Sequence, residues 1–304
     1  MSINVKIAHN TLTQMIGKAI STLLGLAAIA MMTRYLGQEQ FGWYITTISF
    51  LQCIGILIDF GMIPLTAQML AEPHVDNNKL LKNLFGFRIV TAFVFLLFAP
   101  LIALLFPYPT EVKAAITITT ISFFAISINQ VFTGFYQYKL KMHIQAIGEV
   151  LSRVVLVCGL WALIAGNASF LSVMLLISIS SIVFTVAMYL PARKIAEMSL
   201  AFDWPIWKTI MAKMWPIALS IMFNVIYLKG DVLLLSIFGS QTAVGIYGAA
   251  YRVIDIIAQV AMLFMGVMLP LLGYAWSRND TATFKQRYQQ SFDTMIMLGL
   301  PIVV

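Results

Sequence analysis

Four ionisable residues stand in apolar surroundings in the last third of the chain: Lys229, Asp231, Arg252 and Asp255. An ionisable group at mid-membrane costs about 2.5–3.5 kcal/mol on insertion scales, so it faces protein or water and marks a candidate site. Lys229 and Arg252 lie about ten to twelve residues on either side of a turn near residue 240, which puts both ~15 Å from it at helical rise. Two cations at one depth suit an anionic group. Asp231 lies slightly nearer the turn and Asp255 slightly farther, at i+3 from Arg252 and so on its helix face. Either carboxylate is available for ion or proton coupling. The alternative is a neutralised quartet that only fixes helix packing.

A second constellation sits early in the chain. Lys18 and Asp59 are each about twenty residues from a turn near residue 39, hence ~30 Å from it and close to the opposite face of a bilayer. Gly61 and Pro64 follow Asp59 and should weaken or kink the helix, because proline removes a backbone donor and clashes with the preceding turn. A kinked mouth with a switchable ion pair suits a gate; a snorkelling lysine beside a cap-like aspartate is the plainer reading. Arg88 and Arg153 read as snorkelling anchors near helix ends, and Glu149, at i−4 from Arg153, as half of an ordinary helix pair. Asn10, Gln14, Asn129, Gln130, Asn224 and Gln259 fit a sugar path or inter-helix hydrogen bonding, with the second favoured for each.

No catalytic constellation accompanies them. The three histidines, His9, His74 and His143, are isolated, there are no paired carboxylates outside the spans, and no Gly-rich nucleotide loop appears. Cys53 and Cys158 fall inside apolar spans without metal-ligand spacing and read as small core residues. Neither a metal nor a cofactor is expected.

Membrane helices are the scaffold that has to carry these groups. The chain is 61% hydrophobic and 10% charged, with a mean hydropathy of +0.90, whereas a soluble domain carries about a quarter charged residues. Nine apolar stretches of bilayer-crossing length are expected near 10–33, 41–71, 84–106, 114–138, 147–166, 169–190, 211–237, 243–271 and 289–304. The net charge of +7 is spread over short loops rather than a face or tail, which argues against a nucleic-acid partner. Thirteen of the 19 Lys and Arg fall in alternate loops, against Arg34 and Lys113 in the others. By the positive-inside rule the N-terminus is cytoplasmic. A cleavable signal peptide is the rival reading of the first span, with Ala28-Ile29-Ala30 as its cleavage site. The stretch from Asn10 to Met32 is already helix-length, and the repeat described next needs it.

After the first span comes Arg34-Tyr35-Leu36-Gly37, then Phe41-Gly42-Trp43-Tyr44; after the seventh comes Phe238-Gly239, then Val244-Gly245-Ile246-Tyr247. Both are tight hairpins in which glycine allows close approach and a tyrosine sits at interface depth. Gly42 and Gly245 are 203 residues apart. That spacing is six spans, an even number, and so preserves orientation. The pattern predicts parallel six-helix halves related by an axis along the membrane normal: a first lobe over 1–190, a basic and aromatic interfacial linker over 191–210, and three helices of a second lobe over 211–304. The last span ends at Pro301-Ile302-Val303-Val304 without a polar flank, as expected of a chain cut inside a helix.

These hairpin motifs, with Ile58-Asp59-Phe60-Gly61-Met62, Pro216, Asp231-Val232-Leu233 and Tyr251-Arg252, resemble the polysaccharide-transporter branch of the MOP (MATE-like) exporter superfamily, and within it the O-antigen type of lipid-linked oligosaccharide flippase. The resemblance implies an all-α, two-lobed integral membrane fold, of whose twelve or more helices this chain would hold about nine. It implies no enzymatic activity. It implies movement of an undecaprenyl-diphosphate-linked oligosaccharide across the bacterial inner membrane by alternating access, with H+ or Na+ as coupling ion and with polysaccharide polymerase and chain-length proteins as partners. Lys229 and Arg252 would then meet the diphosphate in a cationic cavity. A multidrug or organic-cation antiporter of the same superfamily is the nearest alternative, and a membrane enzyme of polysaccharide assembly a more distant one. A cavity for cations should be acidic, and this one is expected to be basic.

Overall fold

A computed structural model describes the backbone over residues 3–59, 61–72, 76–277 and 280–303, with side chains described from Thr13 onward except at 56–59, through most of 256–279 and at a few single positions. Among the described residues the elements are helical throughout: α1 (Ile3–Asp59), α2 (Met62–Ala71), α3 (Asn77–Leu104), α4 (Thr110–Tyr138), α5 (Met142–Ala165), α6 (Phe170–Ala192), α7 (Trp204–Phe238), α8 (Gln241–Ser277) and α9 (Thr281–Val303). Six stretches among them are long and apolar enough to cross a bilayer. The first, Thr13–Gly55, holds two of the expected spans, because α1 folds at Gly37 (φ 67°, ψ −176°). The outward faces carry Phe93, Leu97, Leu104, Trp161 and Phe223, all exposed. An apolar surface of that extent belongs in lipid.

The chain divides into two compact units, Met1–Gly248 and Ala249–Val304. In the first, α1 packs chiefly on α5, and also on α4 and α7, while α4 packs on α6, α3 and α2. One core joins α2, α3, α4 and the start of α7, through Leu65, Leu84, Phe132, Tyr136, Trp207 and Met214. A second lies towards the hairpin end, where Phe50, Tyr108 and Ile116 are buried and Leu233 and Ile237 of α7 pack against them. In the second unit, Asp280 precedes α9 and accepts a hydrogen bond from the Thr283 N–H at 3.0 Å, which holds its carboxyl below the ordinary carboxylate value.

The expected helix over 41–71 is broken. Gly61 lies in the left-handed region (φ 67°, ψ 35°) and α2 starts after it, with Pro64 in its first turn, where a missing N–H costs nothing. The linker is shorter than the expected 191–210. Helix α7 begins at Trp204 rather than near 211, because Asp203 with Pro205 just inside the helix is a strong start signal. What remains of the linker is tied to the first turns of α3. Ala201 N–H donates to the Lys82 carbonyl (3.2 Å), Asp203 N–H to Asn83 Oδ1 (2.8 Å), and Glu197 pairs with Lys82. Lys79 Nζ sits 2.6 Å from Asp203 Oδ2, and its hydrogen bond holds that carboxyl below the ordinary value.

Candidate functional site

Helices α1, α3, α4 and α7 line a half-open cavity of about 250 Å³ in the first unit. Its polar lining is Gln52 of α1, Arg88 of α3, Ser127 and Gln130 of α4, and Lys229 of α7; Phe123, Ile126 and Val225 are among its apolar lining. Counting along α1 from the hairpin turn, Gln52 lies about 20 Å in. The cavity is therefore well inside the bilayer-crossing part of the bundle.

Arg88 overturns its sequence reading. It is not a snorkelling anchor at a helix end: only 1% of its surface is exposed, and among the described residues it is the largest fully buried side chain. Its Nε donates to the Ser127 carbonyl at 2.9 Å and Nη2 to Gln130 Oε1. A guanidinium has five donors in a planar fork and stays charged at any physiological pH. Two of them being held by α4, the group is fixed in orientation at the cavity wall. The charge density of the loops hid this, since Arg88 lies close enough to Lys79 and Lys82 to be counted with them. A signal was nevertheless present: on α3 it is followed by a 16-residue run, Ile89–Leu104, with no charge.

The other expected residues divide as follows. Lys229 lines the cavity. Asp231 sits two residues on, accepting a hydrogen bond from the Tyr247 hydroxyl at 2.5 Å. Arg252 and Asp255 belong to the second unit, where they form an i,i+3 pair at 3.8 Å. Lys18 is 2.8 Å from Glu149 Oε1 on α5, which also accepts from Ser21 Oγ at 2.7 Å. Glu149 is thus held by α1 in place of the expected helix pair with Arg153, whose guanidinium faces Gly25. The side chain of Asp59 lies outside the described residues, as do those of Asn10 and Gln259. Of the polar amides, Gln130 lines the cavity, while Asn129 is buried in α4 with neither amide atom hydrogen-bonded. Cys53 is half-buried and Cys158 exposed, both as free thiols.

The hairpin motifs meet each other. A Cβ on Gly42 would stand 1.8 Å from the carbonyl oxygen of Gln241, and a Cβ on Gly245 would stand 2.1 Å from that of Gln38. Only glycine fits at either place. Thr46 Oγ1 donates to Gln241 Oε1 at 2.8 Å, Tyr44 is buried, Arg34 is exposed, and Tyr35 donates to the Ala168 carbonyl at 2.6 Å.

The chain matches the polysaccharide biosynthesis protein family over residues 7–276. A comparison with curated proteins gives no match. Among solved structures it resembles the MATE multidrug transporter DinF-BH, solved as a complex (TM-score 0.66, 15% identity, 99% of this chain and 72% of that one). It resembles an outward-facing multidrug resistance MATE family transporter of the MOP superfamily (TM-score 0.59, 16% identity, 98% and 70%). It also resembles a MOP superfamily transporter from Pyrococcus furiosus, whose binding pocket is described as of reverse polarity, suggesting a different function (TM-score 0.64, 15% identity, 98% and 70%). A multi-pass helical chain, a cavity among its helices with two basic residues in its lining, and a family match over most of its length converge: this chain belongs to the polysaccharide biosynthesis protein family and has the fold of the MATE transporters.

Proposed function

We propose that this protein is a flippase that moves an undecaprenyl-diphosphate-linked oligosaccharide from the cytoplasmic to the periplasmic leaflet of a bacterial inner membrane, by alternating access, for O-antigen or another surface polysaccharide. The observation that carries this reading is the cavity lining that holds both Arg88 and Lys229, together with two glutamines and a serine. Fixed cations favour a phosphate, and carboxamides and a hydroxyl exchange hydrogen bonds with sugar hydroxyls as donor and acceptor. Arg252 is assigned to the same cation set, and Asp231 and Asp255 to coupling with H+ or Na+. Lys18 and Asp59 are assigned to a gate at the cytoplasmic mouth. The lobes are assigned to the helices up to α6 and to those from α7 onward, joined by the short linker between Ala192 and Trp204. A multidrug antiporter would have to seat an organic cation against Arg88 and Lys229, at a Coulomb cost that grows as water is expelled.

The experiment is replacement of the full-length gene in its own cell. Loss of the gene should leave the lipid-linked intermediate on the cytoplasmic side. Lys229→Ala and Arg88→Met should each lower surface polysaccharide by at least about ten-fold, one charged contact with the substrate being worth about 1.5–3 kcal/mol. Arg88→Met keeps the volume and removes the charge, so its membrane level should hold better than that of Arg88→Ala, which also opens a cavity. Full export with both cations neutralised and the protein present would refute the assignment.

A further inference from the structure

We propose that the α6–α7 linker and the first turns of α7 form a binding surface for the headgroups of anionic phospholipids, at the end of the first unit that the loop charges predict to be cytoplasmic. Its scaffold is rigid. The linker lies so close to α3 that a Cβ on Gly86 would stand 2.3 Å from the Ala201 carbonyl oxygen, and the hydrogen bonds to Lys82 and Asn83 fix its path. Phe202 packs on Trp207 with ring centroids 4.6 Å apart, and Trp207 on Phe87 of α3 at 5.3 Å. Along α7 one face, with Trp207, Ile210, Met214 and Ala218, is buried. The other, with Trp204, Lys208, Met211 and Trp215 at helical spacing, is exposed.

Depth and charge both point to an anionic leaflet. Helix α7 has 35 residues, ~52 Å at helical rise, and at a tilt of about 20° it still rises ~49 Å, more than the roughly 40–45 Å of a bilayer with its headgroups. Lys208 and Lys213 fall in its first ten residues, so the excess lies at that end. The ridge of Leu200, Phe202, Trp204 and Trp215, each 57–70% exposed, then stands in the headgroup layer, where aromatic rings with a polar edge are favoured. The carboxylates of the α2–α3 turn and the linker are already engaged: Glu72 with Lys213, Glu197 with Lys82, Asp203 with Lys79, and Asp76 as the cap of α3. Arg193, Lys194 and Lys208 are exposed and make no salt bridge among the described residues. The α4–α5 turn stands at the same end, since Asn77 Nδ2 donates to the Tyr138 hydroxyl at 3.0 Å. There Leu140, at φ 53° and strained for a leucine, is exposed between the exposed Lys139 and Lys141. Cations spread over separate turns, with apolar side chains among them, match a leaflet surface rather than one diphosphate group. Charge and apolar contact together give firm attachment where either alone is marginal.

The test uses the full-length protein, purified in a zwitterionic detergent, and follows its melting temperature as short-chain phosphatidylglycerol or phosphatidylcholine is added. A ligand that binds only the folded chain raises that temperature as its concentration passes the dissociation constant. Phosphatidylglycerol should do so, and phosphatidylcholine and inorganic diphosphate should not. In a chain carrying Arg193→Gln, Lys194→Gln and Lys208→Gln, the same rise should need at least about ten-fold more phosphatidylglycerol, each cation at an anionic surface contributing about five-fold. If that chain does not accumulate, Lys208→Glu alone, on the exposed face of α7, should move the titration the same way. Trp204→Gln with Trp215→Gln should weaken binding several-fold with every charge intact. Arg34→Gln with Lys113→Gln, at the other end of the bundle, should leave the titration where it was. Equal stabilisation by the two phospholipids, an unmoved titration in the charge variants, or equal weakening by the Arg34 and Lys113 changes overturns the surface. Stabilisation by inorganic diphosphate that the charge variants abolish would overturn it in favour of a simple anion site. No transported substrate enters the measurement. A wrong assignment of the cavity would show in the Arg88 and Lys229 variants and leave these titrations unchanged.

Discussion

Lys18 illustrates how one residue can hold a lipid-embedded bundle together. Its ammonium, the Glu149 carboxylate and the Ser21 hydroxyl form one cluster between α1 and α5, the most extensive helix pair of the first unit. The side chains of Lys18 and Glu149 are 37% and 18% exposed, so the pair is neither fully solvated nor fully buried. A double-mutant cycle on Lys18→Met and Glu149→Gln should therefore give a coupling of about 0.5–1 kcal/mol in thermal unfolding. The same cycle with Asp59→Asn in place of Glu149→Gln, read as transport, tests the gate: a charge-swapped Lys18→Asp, Asp59→Lys chain should recover part of the export that either single change removes. Coupling to Glu149 in stability with zero coupling to Asp59 in transport would make Lys18 a structural anchor.

Among the helices, the two positive-φ glycines are constrained for different reasons, Gly37 by its backbone and Gly61 by its neighbour. Gly37 (φ 67°) has nothing within 4 Å of where a Cβ would stand, whereas at Gly61 (φ 67°) a Cβ would be 2.2 Å from Ile217 Cγ2 of α7. Asparagine enters the left-handed region of Gly61 (ψ 35°) at a small cost, whereas the conformation of Gly37 (ψ −176°) is open essentially to glycine alone and costs other residues about 1–3 kcal/mol. Gly37→Asn should thus lower the melting temperature of the purified protein by a few degrees through backbone strain alone. Gly61→Asn should lower it by several degrees for a different reason, since its side chain must displace α7 at Ile217. An unchanged melting temperature for Gly61→Asn would mean that the contact with Ile217 does not constrain the break between α1 and α2.

For the molecule in its bilayer, the loop charges predict the orientation by the positive-inside rule. Cysteines at Lys141 or Arg193 should react only from the cytoplasm, and cysteines at Gln38 or Thr110 only from outside, when impermeant reagents are applied to intact cells. Labelling of Lys141→Cys from outside would invert the topology and with it the direction assigned to transport. The surface supports the choice of Lys141, Arg193 and Gln38, which are exposed, while Thr110 opens α4 beside the exposed Glu111.

The class of the protein, the approximate helix positions and the repeat could all be read in one dimension. Hydropathy over ~20 residues is such a property, because a bilayer requires each span to be apolar on its own account. The paired Gly42 and Gly245 motifs were legible for the same reason: a turn and its spacing are local. Lys229 was legible because a lone cation in an apolar run stands out. The partners of these residues came only from packing in three dimensions. Arg88 becomes a cavity residue only because α4 brings the Ser127 carbonyl and Gln130 to it, contacts 39 and 42 residues away in sequence. Lys18 meets Glu149 across 131 residues, although counting from the hairpin turn put it level with Asp59. Depth can be counted along a helix, but the direction a side chain faces depends on which helix packs beside it, and in lipid, where every face is apolar, the hydrophobic pattern does not reveal that neighbour.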